Sequence, residues 1–520
     1  MVLFELSPSF FLCLVPLLFW FIKHYKSILL NTSSSSSSSS KPSKLPRSYP
    51  LVGSYFEMSA NLSRYVEWTS EALKASPSST FVLHLPLGNH QILTANPSNV
   101  RHILKTQSCI YQKGRFFKTT FMDLFGNSMF NADGEMWRSQ RHVSSHEFST
   151  QVLCRYIQSV VDPMLSHRLL PILSAAAMNG TVLDLQDILQ RFAMDNICQF
   201  AFGYDPACLL PSLPQNKFAE AYETAIRVSN KRFASFHPLV WKTKRLLNIG
   251  SEKQLKSAIK EVRKLTDEIV QKKKQQIESV DILSRFLCSE NHGQDIAMDV
   301  ILGFIMAGRD TTSAALLWFF WALARHPDVE NEILREINEK PEEPIYEDLR
   351  DMVYTHASLC ESMRLYPPVP FDMKEAAEDD VLPDGTVVKK GMKVTYHPYA
   401  MGRMEELWGK DWAEYRPERW LEKDPAPASA ALKWRFVGRD PYTYPVFQAG
   451  PRVCLGKDLA LLQMKRVVTG VFRRFRVVPA LEEGVEPVYI SCLTAKMKGG
   501  FPVRIEERVE ATFGKQIKQN

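Results

Sequence analysis

Beyond Leu51, apolar residues recur three and four positions apart over most of the chain, the period of helices that bury one face. The spacing predicts helices over 218–230, 251–277, 299–325 and 329–338. Short strand-like pieces come late, over 387–389, 393–396 and 501–505. Neither a repeat period nor a second linker interrupts this pattern. The expected fold is therefore mainly α with small β-sheets attached, in a single large domain over 51–520. Lys272-Lys273-Lys274 reads as a solvated helix end.

The first fifty residues follow another rule. Val2 to Ile22 is apolar apart from Glu5 and the interruption at Ser7, Pro8 and Ser9, and Lys23, His24 and Lys26 follow at once. Positive charge placed after an apolar run keeps the rest of the chain cytosolic. Residues 1–30 are expected to be an N-terminal signal anchor that crosses a membrane once. The run is short for a span of about 20 residues, so a cleaved signal peptide stays open. Residues 31–50 hold the unbroken serine run 33–40 and prolines at 42, 46 and 50, which read as a tether, flexible and then stiffened.

Composition narrows the classes. Hydrophobic residues make up 45% and charged residues 23%, ordinary for a large core. A net charge of +7 is too mild to imply nucleic acid and fits a membrane surface or an acidic protein partner. The nine cysteines are odd in number and none has C-x-x-C spacing. That argues against a disulfide scaffold and a zinc site, and for a reducing compartment.

One cysteine stands apart. Phe447-Gln-Ala-Gly450-Pro-Arg452-Val-Cys454-Leu-Gly456-Lys457 presents Phe, Gly, Arg, Cys and Gly at spacings of three, two, two and two. Gly450 and Gly456 would let backbone approach a flat cofactor closely. A thiolate is a strong donor to haem iron and favours O–O cleavage. Backbone N–H groups and the start of the helix running through Leu459 and Met464 would stabilise its charge. Arg452 could pair with a haem propionate. A buried core cysteine in a Gly-rich turn is the bland alternative, and the five positions together argue against it.

Three further constellations lie upstream. Ala307-Gly308-Arg309-Asp310-Thr311-Thr312 falls within the longest expected helix; Gly308 weakens that helix by about 1 kcal/mol relative to Ala, and Asp310 and Thr311 offer an acid and an alcohol there. Glu361 and Arg364 lie at i, i+3 on one helix face, and Pro417-Glu418-Arg419-Trp420 supplies a second arginine. Trp137 and Arg141 lie at i, i+4.

Together these segments resemble the cytochrome P450 superfamily, in order and spacing, over about residues 51–507. The resemblance implies that Cys454 is the axial ligand of haem b iron, that Phe447, Gly450, Arg452, Gly456, Trp137 and Arg141 bind the cofactor, and that Asp310 and Thr311 relay protons for O–O cleavage. Glu361, Arg364 and Arg419 would form a structural lock. No G-x-G-x-x-G fingerprint follows a strand, so NADPH would act through a partner flavoprotein, NADPH–cytochrome P450 reductase, docking near Arg452 and Lys457.

Finer matches at Met352-Val-Tyr-Thr-His-Ala, Tyr366-Pro-Pro-Val-Pro-Phe, Tyr399-Ala-Met-Gly-Arg-Met and 438–447 are similar to plant fatty-acid omega-hydroxylases. A sister branch hydroxylates a jasmonoyl-isoleucine conjugate. The resemblance implies an endoplasmic reticulum membrane protein with a cytosolic, monomeric catalytic unit and a fatty-acid substrate. Phe116 to Phe121, Phe304, Ala307, Val369 to Phe371 and Leu493 would line its tunnel. Arg115 or Lys113 could meet a carboxylate, although surface solvation is the simpler role. Animal relatives carry a Glu where this chain has Ala307, and that Glu can esterify the haem. Here the haem is expected to be held without such a bond. A haem carrier or sensor would not need Asp310 and Thr311, and a hydroperoxide isomerase or dehydratase of this fold typically lacks the threonine.

Overall fold

The computed structural model describes residues 45–235, 238–275, 281–289, 294–423, 434–482 and 484–508. The expected anchor over 1–30, and the tether as far as residue 44, lie outside that set.

Helices dominate, and the periodic segments form where the apolar spacing puts them: Lys217–Phe233, Gly250–Lys274 and Pro327–Asn338. Local chemistry sets their starts. The Asn216 side chain accepts the Ala219 N–H, capping the first of these helices. Pro327 opens the last, where a missing N–H costs nothing. The lysine run behaves differently from the expectation. Lys272 and Lys274 are exposed, but Lys273 turns inward beside buried Ile269 and Val270 and pairs with Asp281. Helical rotation puts the middle lysine on the core face, and the Asp281 carboxylate makes its burial tolerable.

The helix expected over 299–325 begins earlier and has three parts. Gln294–Ile305 and Thr311–Leu323 are α-helical, and Met306–Asp310 between them is a π turn. Such single turns often mark functional sites. The whole segment is long and apolar enough to cross a membrane, yet it is mostly buried inside the protein. Every residue from Thr312 to Leu323 is buried, and Trp318 stacks on Tyr366 at 4.6 Å. Its apolarity on all sides is that of a central core helix.

The late strands form as Val387–Val388, Lys393–Tyr396 and Pro502–Glu507. An early hairpin, Thr80–His84 with His90–Thr94, was not anticipated. Its signal was present in Thr80-Phe-Val-Leu-His84 and in the turn residues Pro86 to Asn89. The hairpin joins Lys393–Tyr396, Asp372–Ala376 and Tyr111–Gln112 in a five-stranded sheet with Lys393–Tyr396 at its centre. In the register, Lys393 stands opposite Gln91 on one side and Glu375 on the other.

One buried carboxylate ties the helix Val353–Leu365 to the chain that follows. Glu361 is inaccessible to solvent. It accepts two hydrogen bonds from Arg364, through Nε and Nη2, both at 2.8 Å. Arg419 Nε donates at 3.2 Å, Trp420 Nε1 at 3.0 Å and the Arg416 backbone N–H at 3.0 Å. Arg364 also donates to the carbonyls of Gly402, Trp412 and Glu414. Gly402 is obligatory there, because a Cβ would lie 2.1 Å from the Arg364 carbonyl oxygen. Removing the carboxylate would leave two buried guanidinium groups without their shared counter-charge. Glu361→Ala is expected to cost about 3–5 kcal/mol, read as a lowered unfolding midpoint in denaturant.

Candidate active site

The segment 445–457 is held in shape by its own backbone. Gln448 has φ 60° and Gly450 φ 64°, and the Cys454 N–H donates to the Phe447 carbonyl at 2.9 Å. A Cβ on Gly450 would stand 1.9 Å from the Leu104 carbonyl oxygen, so no other residue fits. Gly456 is different: an added Cβ would meet only Phe148, at an ordinary 3.7 Å. It precedes the helix Lys457–Arg474 and aims its N–H at the Cys454 sulfur. Phe447 backs the loop against the main core and is outside the cavity wall.

Cys454 is accessible, and the space it opens on is a cavity of 1210 Å³. Burial in protein pushes its thiol above the ordinary range. The Gly456 N–H and the cations Arg141 and Lys457 pull the other way. Trp137, Arg141 and Arg452 share the same wall. The Trp137 ring lies 4.5 Å from the Arg452 guanidinium and 5.8 Å from that of Arg141. Arg452 donates to Asp133 Oδ1 at 2.7 Å and to the Ala132 carbonyl at 3.1 Å. Arg141 has no hydrogen-bond or ion-pair partner among the described residues, and burial lowers its pKa. Arg452 therefore faces inward, and of the two cations expected at a docking surface only Lys457 is exposed.

On the opposite wall the π turn brings Ala307, Gly308, Thr311 and Thr312 to the cavity. Gly308 lets this helix pack on Leu185–Phe202, since a Cβ would lie 2.5 Å from Ile197 Cγ1. The Thr311 hydroxyl donates to the Ala307 carbonyl at 2.5 Å. Asp310 is placed elsewhere. It is buried outside the cavity wall and accepts from Arg309 Nη1 at 2.7 Å. Arg309 reaches Glu223 at 3.3 Å, and Glu223 pairs with Lys496. Burial raises the Asp310 carboxyl above its ordinary range, against the pull of Arg309 and Lys496.

Phe304, Ala307, Val369, Phe371 and Leu493 all line the cavity. Leu493 does so at the tip of the hairpin Tyr489–Cys492 and Thr494–Met497, with φ 66°. Of the expected stretch 116–121, Phe116, Phe117, Thr119 and Thr120 reach the wall. Phe121 does not: it is packed in the core against Phe125, because the helix Gly114–Phe125 turns that position away. Lys113 lies 3.4 Å from Asp372, while Arg115 is exposed at the rim.

Sequence reasoning missed the polar base of this wall. Asp372 accepts from Lys374 Nζ at 2.9 Å, Tyr396 at 3.0 Å and Gln448 Nε2 at 2.5 Å; against the raising effect of burial, the cations Lys113 and Lys374 and these hydrogen bonds hold its carboxyl far below the usual range. Asp372 and Lys374 are two apart on one strand, hence on one face, which was the only available signal. Gln448 Oε1 is buried without a partner. A sulfur open to a cavity and two desolvated arginines flanking an indole fit a flat dianionic group that carries a thiolate-seeking metal.

This arrangement defines a haem-thiolate monooxygenase. The cytochrome P450 family model matches residues 43–500, and the chain belongs to that family. It is 54% identical to cytochrome P450 94A2 of Vicia sativa, over 94% of this chain and 96% of that relative. It is 47% identical to cytochrome P450 94B3 of Arabidopsis thaliana, over 92% and 95%, and 43% identical to cytochrome P450 94C1 of the same plant, over 85% and 89%.

Gly450→Ala is expected to abolish most haem incorporation, measured as haem per polypeptide. Gly385→Ala, at a left-handed glycine with nothing within 4 Å, should keep the haem.

Proposed function

We propose that this protein hydroxylates the terminal methyl of medium- and long-chain fatty acids, with Cys454 as the haem iron ligand. The observation that carries this reading is one continuous cavity whose lining holds Cys454 and Thr311 together with Phe304, Phe116, Phe117, Val369, Phe371 and Leu493. At 1210 Å³ it exceeds the range of about 300–1,000 Å³ typical of small-molecule sites, as it must to take both a cofactor and an extended acyl chain. The bound haem supplies dioxygen activation. The apolar wall excludes water and positions the chain end. A terminal C–H is the strongest in an acyl chain, so selectivity for it has to come from geometry that withholds the internal carbons.

Arg141 and Arg452 hold the cofactor's carboxylates, and Trp137 keeps the two guanidinium groups apart. Thr311 exchanges its bond to the Ala307 carbonyl for donation into the cavity. Asp310 resupplies that proton, drawing on the chain Arg309, Glu223 and Lys496, whose Glu223 side chain is 39% exposed to solvent. Electrons come from NADPH through a reductase docking near exposed Lys457. The apolar N-terminal segment anchors the protein once in the endoplasmic reticulum membrane, with a monomeric catalytic unit in the cytosol.

The second reading, 12-hydroxylation of a jasmonoyl-isoleucine conjugate, uses the same machinery on a bulkier acid. Turnover of the reductase-coupled holoenzyme with lauric acid and with jasmonoyl-isoleucine separates the two. Omega-hydroxylaurate is the expected product, and exclusive use of the conjugate overturns the assignment. Thr311→Ala is expected to keep its haem while product formed per NADPH falls roughly tenfold or more and peroxide rises. Unchanged coupling would remove Thr311 from the proton path.

A further inference from the structure

Lys393 opens the central strand of the five-stranded sheet and lines the cavity. Lysines on edge strands guard against unwanted pairing, but a central strand needs no such guard. Alternation along the strand puts Lys393 and Thr395 on the cavity face and sends Val394 into the core. Glu375 acts on the Lys393 ammonium from across the strand but does not pair with it. The lysine Nζ lies 3.3 Å from the centroid of the Phe116 ring and makes no hydrogen bond or ion pair among the described residues. Directly across the strand, Glu375 is already engaged: its Oε1 accepts the Arg115 N–H and its Oε2 the Phe116 N–H, both at 3.2 Å. That carboxylate holds the start of the helix Gly114–Phe125, and Gly114 leaves it the room to do so. On the other side Gln91 donates to Thr395. Burial lowers the Lys393 pKa to about 8, with Glu375 opposing it.

A half-buried ammonium facing an apolar cavity, with its nearest acid turned to other work, is an unfilled anion site. We propose that Lys393 binds the substrate's carboxylate, so that the acyl chain runs from this ammonium toward Cys454. The inference rests on the fatty-acid reading above. Phe116 holds the ammonium in place by its ring face while the cavity is empty. The fixed separation between Lys393 and the cofactor then acts as a ruler, selecting the chain length whose terminal methyl reaches the reacting position.

The test uses purified holoenzyme and two ligands of one shape, lauric acid and methyl laurate, with Kd read from the substrate-induced haem spectral shift. The unaltered protein is expected to bind the acid at least tenfold more tightly than the ester. Lys393→Met should bring that ratio close to one, and Lys393→Arg should restore it. The ester's own binding reports that the Met variant is folded. An acid-to-ester ratio unchanged in Lys393→Met overturns the proposal.

A pH series adds an independent readout. The ammonium is present below about pH 8 and lost above it, so laurate affinity in the unaltered protein should weaken as pH rises beyond that value. The other charged groups that share this part of the lining are Glu375, Asp372, Arg115, Lys113 and His90. They remain in Lys393→Arg, so a flat profile there assigns the loss to Lys393, and an equal loss in that variant overturns the assignment. If the unaltered protein turns over jasmonoyl-isoleucine and no fatty acid, the fatty-acid reading fails by itself. The same comparison, run with the conjugate and its methyl ester, then decides whether Lys393 holds a carboxylate.

Discussion

Everything in this protein turns on keeping one sulfur deep inside the fold and yet open on one side. Buried thiols are normally sealed by apolar neighbours and stay protonated. Burial raises the Cys454 thiol too, but its sulfur is not sealed, because the loop before it is pressed against the Leu104 carbonyl at Gly450, at an approach only glycine tolerates. The loop is locked again by the Cys454 N–H bonding back to Phe447. The sulfur is left facing a cavity, with the Gly456 N–H and the start of the helix Lys457–Arg474 behind it. Negative charge at that sulfur is favoured by both. The distal helix, the arginine pair and the substrate wall are arranged around the space that this loop defines.

A second constraint is electrostatic. The cavity wall carries more cationic groups than acids free to meet them. Three of the acids near these cations are already committed: Asp133 to Arg452, Asp372 to Lys374 and Lys113, and Glu375 to a helix start. Charge taken out of water without a partner is costly. A wall that leaves Arg141 and Lys393 without an ion pair among the described residues therefore favours anionic occupants. On the proposed reading, the cofactor's carboxylates and the substrate's carboxylate supply that charge at two separate places. Both molecules would then be oriented by the same physics, with apolar surface providing the bulk of the contact and a few ammonium and guanidinium groups providing direction.

Much of the fold was legible in the chain. Helical spacing located three of the four expected helices to within a few residues, because amphipathic periodicity is a local record of which face will be buried. The haem-thiolate site was legible for a different reason: a metal ligand and its glycines must lie at short fixed spacings within one loop, and so they are neighbours in sequence. The early hairpin was readable in its turn residues but overlooked. Lys273 and Phe121 were misjudged because a charge run and an aromatic run look uniform in one dimension, while a helix sends successive residues in different directions.

The sequence by itself determined the chemistry: a cysteine, an arginine and two glycines in one loop, an acid and an alcohol in one helix, and three charged residues of a lock. Tertiary structure alone decided which of these share a cavity. It placed Thr311 on the wall and Asp310 behind it in an ion pair with Arg309. It brought Lys393, Glu375 and Gln91 into one register across three strands, one of them far from the other two in the chain. No periodicity or spacing carries that information, because cross-strand partners are set by sheet register, which depends on packing of the whole domain.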